Sequence, residues 1–185
     1  MGTVVLIILA VLAVAAIVLY NSLIRSRNRV KQAYSGIEVQ LTQRYALIPK
    51  LVETVRQYMT HERSLLEDIV RLRSEAMQGG TEAEKNRADG ELTRALGQLR
   101  VSVENYPQLK ASSNFVQLQR SLNEVEEQLA AARRSFNSAA TDYNNRVQTF
   151  PSSLVAQAMN FRTRSMYQAE AHERADVDMK QLFNA

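Results

Sequence analysis

From Val30 to Met77 the apolar side chains recur with the period of a packed helix. Two heptad series four residues apart form the seam, and the one from Val30 reads Val30, Ile37, Arg44, Leu51, Tyr58, Leu65 and Leu72. The one from Tyr34 reads Tyr34, Leu41, Ile48, Val55, Glu62, Ile69 and Ala76. Only Arg44 and Glu62 interrupt a seam kept through seven heptads, a regularity that chance rarely produces. The spacing predicts one helix of these 48 residues, about 72 Å long at roughly 1.5 Å per residue. One helix of that length cannot bury its own stripe, so a later segment is expected to fold back along it. Pro49 falls inside the pattern with the register unchanged on both sides, so a kink rather than a stop is expected there.

Three further helices follow from the same reading. Gly79-Gly80 marks the end of the long helix, and Thr81 with Glu84 forms a capping-box pattern that opens the second. Its stripe is Ala88, Leu92, Ala95, Leu99, Val103 and Tyr106. Gly90 and Gly97 lie seven apart on one face, where they would admit a close neighbour. The segment Tyr106-Pro-Gln-Leu-Lys110 connects to a third helix, with Asn114 and Gln117 resembling its cap. That helix carries Phe115, Leu118, Leu122, Val125, Leu129, Ala132, Phe136, Ala139, Tyr143, Val147 and Phe150, at alternating spacings of three and four. Its 36 residues, ended by Pro151, are too few to cover all 48 of the first helix. Part of the long seam, expected near Val30 to Leu41, then needs another copy of the chain. A short fourth helix, capped by Ser152 or Ser153, uses Leu154, Val155, Ala158, Met159 and Phe161.

The pattern before residue 30 is different. Val4 to Leu19 contains only Val, Leu, Ile and Ala, and Thr3 to Leu23 makes 21 residues, about 31 Å of helix and close to a bilayer's hydrocarbon thickness. The twelve Val, Leu and Ile residues of this run favour insertion by roughly 4 to 7 kcal/mol. A cleaved signal peptide would place its bases before the apolar run, whereas here they follow it. An uncleaved transmembrane anchor is therefore expected. The positive-inside bias puts the amino terminus outside and the bundle in the cytoplasm. The expected class is all-α, an N-terminal transmembrane helix before an antiparallel bundle of three long helices and a short fourth. The expected division is anchor 1–24, basic juxtamembrane segment 25–31, bundle 32–165 and C-terminal tail 166–185.

Charge matters once it is located. Arg25, Arg27, Arg29 and Lys31 precede the first acid, Glu38; the 23 Lys and Arg less these four leave 19, equal to the 19 Asp and Glu. The surplus thus sits beside the apolar run, suited to lipid headgroups or to fixing topology. The neutral body is unlike a nucleic-acid binder. The chain has no cysteine, which excludes disulfides and thiolate metal sites.

Several blocks resemble the LemA family of bacterial membrane-anchored proteins. They are Asn28-Arg-Val-Lys-Gln-Ala-Tyr-Ser-Gly-Ile37, Val39-Gln-Leu-Thr-Gln-Arg-Tyr-Ala-Leu-Ile-Pro-Lys-Leu-Val-Glu-Thr-Val55, Tyr106-Pro-Gln-Leu-Lys-Ala111, Asn114-Phe115, Leu118-Gln119, Ala132-Arg133, Tyr143-Asn144 and Phe150-Pro151. The chain departs from the family at Tyr34, usually Trp, and Lys50, usually Asn. The resemblance implies an antiparallel bundle behind an N-terminal span and imports no catalytic site. Some magnetosome-associated proteins resemble the family too, implying membrane organisation rather than chemistry.

No catalytic constellation is legible, and no cofactor is expected. His61-Glu62 lacks the second histidine of a zinc helix, because position 65 is leucine; the other histidine is His172. Glu67-Asp68 and Glu126-Glu127 are adjacent pairs that face different ways on a helix. Arg44 and Glu62 either fix register or partner choice, or drift to the surface on a straight helix, and drift of about 20° per heptad favours the surface. Tyr45, Pro49, Tyr106, Pro107, Leu109 and Pro151 are expected to serve the kink and the helix connections. The function implied is a non-enzymatic, self-associating scaffold in the bacterial inner membrane, with membrane lipids, further copies of itself and another membrane protein as candidate partners. The alternative is a receptor or modulator of a membrane enzyme such as a protease.

Overall fold

The computed structural model describes residues 1–78 and 80–167. Among the described residues there are six helices and no strand: α1 (Gly2–Arg56), α2 (Arg63–Gln78), α3 (Glu82–Val103), α4 (Pro107–Lys110), α5 (Ser113–Gln148) and α6 (Ser152–Ala158). The fold is all-α, with an apolar N-terminal helix leading into an antiparallel bundle. The expected tail lies outside the described residues from 168 onward, as does His172.

The predicted 48-residue helix is corrected. α1 ends at Arg56 and the chain reverses through residues 57–62. α2 then returns along α1, because Arg73 reaches the backbone of Tyr45. Reversal solves the problem that a lone rod poses: Leu66, Ile69 and Leu72 now bury against Ile48, Leu51 and Val55. Each such side chain removed from water contributes about 1.5–3 kcal/mol. Met59 plugs the turn from inside at 1% exposure. Two consecutive seam positions, Tyr58 and Glu62, lie inside this turn, where neither is buried.

α5 has the predicted 36 residues, starting after Ser112 rather than Asn114, with no side-chain cap bond. It runs antiparallel to α1, since Arg146 meets Ser22, Tyr34 meets Phe136 and Arg44 meets Glu126. Because α1 stops at Arg56, α5 is long enough to follow the whole packed half of α1. Leu23, Val30 and Ile37 are buried within the chain, so the uncovered seam expected near Val30 to Leu41 does not exist.

α3 opens on the predicted capping box of Thr81 and Glu84. It buries the predicted Ala88, Leu92, Ala95, Leu99 and Val103, while Tyr106 instead caps α4. Gly97 is exposed and a Cβ there would meet nothing within 4 Å, so no neighbour approaches it closely. α6 is capped by Pro151 without a side-chain bond rather than by either serine. Ala156 is its buried residue, and Ala158, Leu154 and Met159 are exposed.

Two apolar clusters result. The distal one joins α1, α2, α3, α4 and the start of α5 around Ile48, Val55, Ile69 and Leu92. The other joins α1 and α5 nearer the apolar N-terminus, around Ile37, Leu129, Phe136 and Tyr143. Beyond α6 an extended segment lies back along α5. Asn144 exchanges two hydrogen bonds with the backbone of Arg164, and Asn137 does the same with Tyr167. Seven residues of helix and three of extended chain both span about 10 Å, so the two amides match the rise of the extended segment.

Candidate functional site

Where the two clusters meet, the core is ionic. Arg44 projects from α1 at 1% exposure, which overturns the expectation that helix drift carries it to the surface. Two nitrogens of its guanidinium donate hydrogen bonds, and the third, Nε, is held by an ion-pair contact without hydrogen-bond geometry. Nη1 donates to Asp89 Oδ1 at 2.9 Å, Nη2 donates to Thr93 Oγ1 at 2.9 Å, and Nε lies 2.7 Å from Glu126 Oε1. Asp89, on α3 and also buried, accepts from the Tyr45 hydroxyl at 3.0 Å and from Arg133 Nη2 of α5 at 3.1 Å. Arg133 in turn lies over the ring of Tyr167, 5.4 Å from its centroid. Two arginines and two carboxylates from three helices thus close a neutral cluster.

Burial is the main electrostatic fact here. It pushes the Tyr45 hydroxyl well above the ordinary tyrosine range, with the Asp89 charge acting in the same direction. Burial also raises the Glu126 carboxyl above the usual range, although the Arg44 charge opposes it. A hydroxyl so held remains a donor, and its acceptor is already in place.

A cavity of about 310 Å³ adjoins the cluster between α1, α3 and α5. Its walls include Leu51, Leu96, Val103, Phe115 and Leu122, with Arg44 and Glu126 at one end. This is the lower end of the size range for ligand pockets. Of the charged groups that line it, Arg44 and Glu126 are engaged with each other, and Arg100 is exposed at the rim.

Pro49 explains a second polar contact. It lies inside α1, which continues unbroken, and has no N–H to donate to the Tyr45 carbonyl four residues earlier. Arg73 Nε of α2 donates to that carbonyl at 2.7 Å. The proline therefore creates an acceptor that fixes α2 against α1.

Other predicted residues divide clearly. Tyr45 belongs to the ion cluster and not to a connection. Glu62 is half-buried in the reversal after α1, where it accepts from the Tyr106 hydroxyl at 2.7 Å. Tyr106, Pro107 and Leu109 do form the α3–α5 connection, with Leu109 fully buried. Pro151 stands at the α5–α6 turn. Arg25, Arg27, Arg29 and Lys31 are all exposed. His61 is exposed, and among the described residues no group of three or more potential ligands gathers to hold a metal. Glu67 pairs with Arg63 while Asp68 pairs with Arg71, so those carboxylates do face apart.

Asp89, Thr93, Glu126 and Arg133 were not legible as site residues. Asp89 lies 45 residues from Arg44, a distance at which periodicity carries no information. Its one local sign is that it adjoins the stripe residue Ala88.

The N-terminal half of α1 is long and apolar enough to cross a membrane, and among the described residues nothing buries it.

Comparison with known proteins gives the same picture. Protein LemA of Metamycoplasma hominis is 29% identical over 167 residues, covering 89% of this chain and 75% of the relative. Magnetosome proteins MamQ 1 and MamQ 2 of Paramagnetospirillum magneticum are each 24% identical, covering 96% of this chain and 77% of theirs. The LemA family model matches residues 33–180, which is most of the bundle and well over half of the sequence, and the chain belongs to the LemA family.

Proposed function

We propose that this protein is a non-enzymatic scaffold, anchored by one span in a bacterial inner membrane and assembling with further copies of itself on the cytoplasmic side. The observation that carries the reading is the continuity of α1. Among the described residues nothing buries its apolar first half, and its second half is locked into the bundle. Anchor and bundle are thereby one mechanical unit, with about 50 Å of helix between Ile24 and Arg56 at 1.5 Å per residue. The ion cluster supports a structural role, since its charges satisfy one another. The relatives' names, LemA and magnetosome protein MamQ, are not names of enzymes.

Because α5 occupies the bundle's seam in the same chain, assembly has to use what remains uncovered, chiefly the span itself. Confinement to a membrane raises the local concentration and favours such contacts. Light scattering of the full chain in mild detergent is expected to give a homo-oligomer, and a chain beginning at Arg25 a monomer. Monomers for both would remove the scaffold reading. The cavity beside Arg44 favours a second reading, in which the bundle is a receptor or modulator of a membrane enzyme such as a protease. A stoichiometric second protein retained on pull-down from membranes, with a monomeric full chain, would put that reading first.

A further inference from the structure

The α5–α6 turn carries large apolar side chains that the described residues leave uncovered. Phe150, Leu154 and Met159 are 80%, 61% and 55% exposed. The fifteen residues Val147 to Phe161 contain no Asp, Glu, Lys or Arg, and the stretch is bracketed by Arg146 on one side and by Arg162 and Arg164 on the other.

The height of this turn along α1 follows from its contacts. Arg146 donates to the Ser22 hydroxyl, and the rings of Phe161 and Tyr20 meet edge to face at 6.1 Å. Gln148, the last residue of α5, is two residues farther along an antiparallel partner, about 3 Å at 1.5 Å per residue, and Phe150 lies just beyond it, which brings the turn level with Leu19 and Tyr20. Those residues lie inside the apolar stretch Thr3 to Leu23. α1 is unbroken through this region, so inserting the stretch into hydrocarbon carries the turn to the same depth. At that depth an uncharged, apolar turn is favoured and a charged one would not be. Just above it, Arg27 lies 5.6 Å from the Phe161 ring centroid, and Arg162 and Arg164 are exposed, at the height of lipid phosphates.

We propose that the α5–α6 turn is a second membrane contact. Phe150, Leu154 and Met159 enter the boundary between headgroups and acyl chains of the leaflet that α1 crosses, beneath the guanidinium groups of Arg27, Arg162 and Arg164. The inference rests on the reading of Thr3 to Leu23 as a span and adds that the bundle is seated on the bilayer rather than tethered above it. A phospholipid surface is the occupant, because anything else at this depth would itself have to lie in lipid.

The chain has no tryptophan, so single-tryptophan variants report their own surroundings. The full chain bearing L12W, F150W or V101W is reconstituted in phosphatidylcholine–phosphatidylglycerol vesicles whose acyl chains are brominated either near the headgroup or near the bilayer centre. F150W is expected to be quenched more by shallow than by deep bromine, and L12W more by deep. V101W, at the distal end and 72% exposed, should be quenched by neither. L154W should repeat the F150W result. L12W quenched with F150W and L154W unquenched would overturn the second contact and leave the span standing. F150W blue-shifted yet unquenched would mean a protein cover and would overturn it equally. L12W unquenched would remove the span and this inference together.

Discussion

Arg44 sets the terms at the scale of single residues. A guanidinium at 1% exposure is tolerated because Asp89 and Thr93 accept from its two terminal nitrogens and the Glu126 carboxylate pairs with its charge at Nε. Such an arrangement adds little net stability over apolar packing, yet breaking it is costly, because the remaining charge stays buried. Asp89→Ala is therefore expected to destabilise the bundle by about 3 kcal/mol, the low end for a broken buried pair because Glu126 stays on Nε. Arg44→Met combined with Asp89→Leu should recover part of that loss, since Glu126 and Arg133 retain access to water while the Tyr45 hydroxyl stays without its acceptor. Urea denaturation in mild detergent followed by circular dichroism measures both, and a double variant as weak as Asp89→Ala would show that packing dominates the site. Glu126 adds a pH signature. Burial raises its carboxyl in the folded state, so the folded chain holds that proton more tightly than the unfolded chain. Its contribution is fully present below the ordinary glutamate value of about 4.3 and is lost as pH rises through the raised one. Wild type should accordingly gain melting temperature relative to Glu126→Gln as pH falls from neutral into that window, and parallel curves would remove Glu126 from the account.

Between elements, the joint of α1 and α2 depends on an acceptor that a proline exposes. Arg73→Met leaves the Tyr45 carbonyl without its donor, at an expected cost of about 1–3 kcal/mol. In a Pro49→Ala background the restored N–H can satisfy that carbonyl, so the same substitution should cost clearly less; equal costs would sink the pairing. Leu51→Ala, in the distal cluster, is expected to cost about 2–5 kcal/mol, and Val39→Ala, 53% exposed, well under that. Equal losses from these two would mean that the packed face of α1 is misplaced. Local pattern made α3 and α5 readable, because a capping box, a stripe and a terminal proline all lie within a few residues of what they specify. It missed the reversal at residues 57–62, because α2 doubles back while keeping the heptad phase. An apolar seam looks alike whether its helix continues or folds back. The available hint was two consecutive weak seam positions, Tyr58 and Glu62, with Thr60 and His61 between them. Arg44 was misread for the complementary reason: its position was visible on one helix, but its acid partners sit on two others.

At the scale of the whole molecule, the proposed orientation is expected to be set before the bundle exists. Arg25, Arg27, Arg29 and Lys31 are exposed in the folded chain and make no described contact with an acid, so they are free to act during insertion and afterwards at the headgroups. Arg146, Arg162 and Arg164 come near the same level only after α5 and α6 have packed on α1. Topology is read from Lys and Arg within about 15–20 residues of a span, which excludes these later arginines and leaves the four proximal bases to decide. Replacing all four with glutamine should therefore give mixed or inverted orientation, even though the folded protein would still carry bases at that end. The chain has no cysteine, so Ser64→Cys on the exposed face of α2 supplies a unique label. In otherwise wild-type cells an impermeant maleimide should reach Cys at this position only after the membrane is opened. In the four-glutamine background a fraction should react in intact cells. Labelling of the otherwise wild-type chain from outside would place the bundle on the opposite side of the membrane from the one the charges assign.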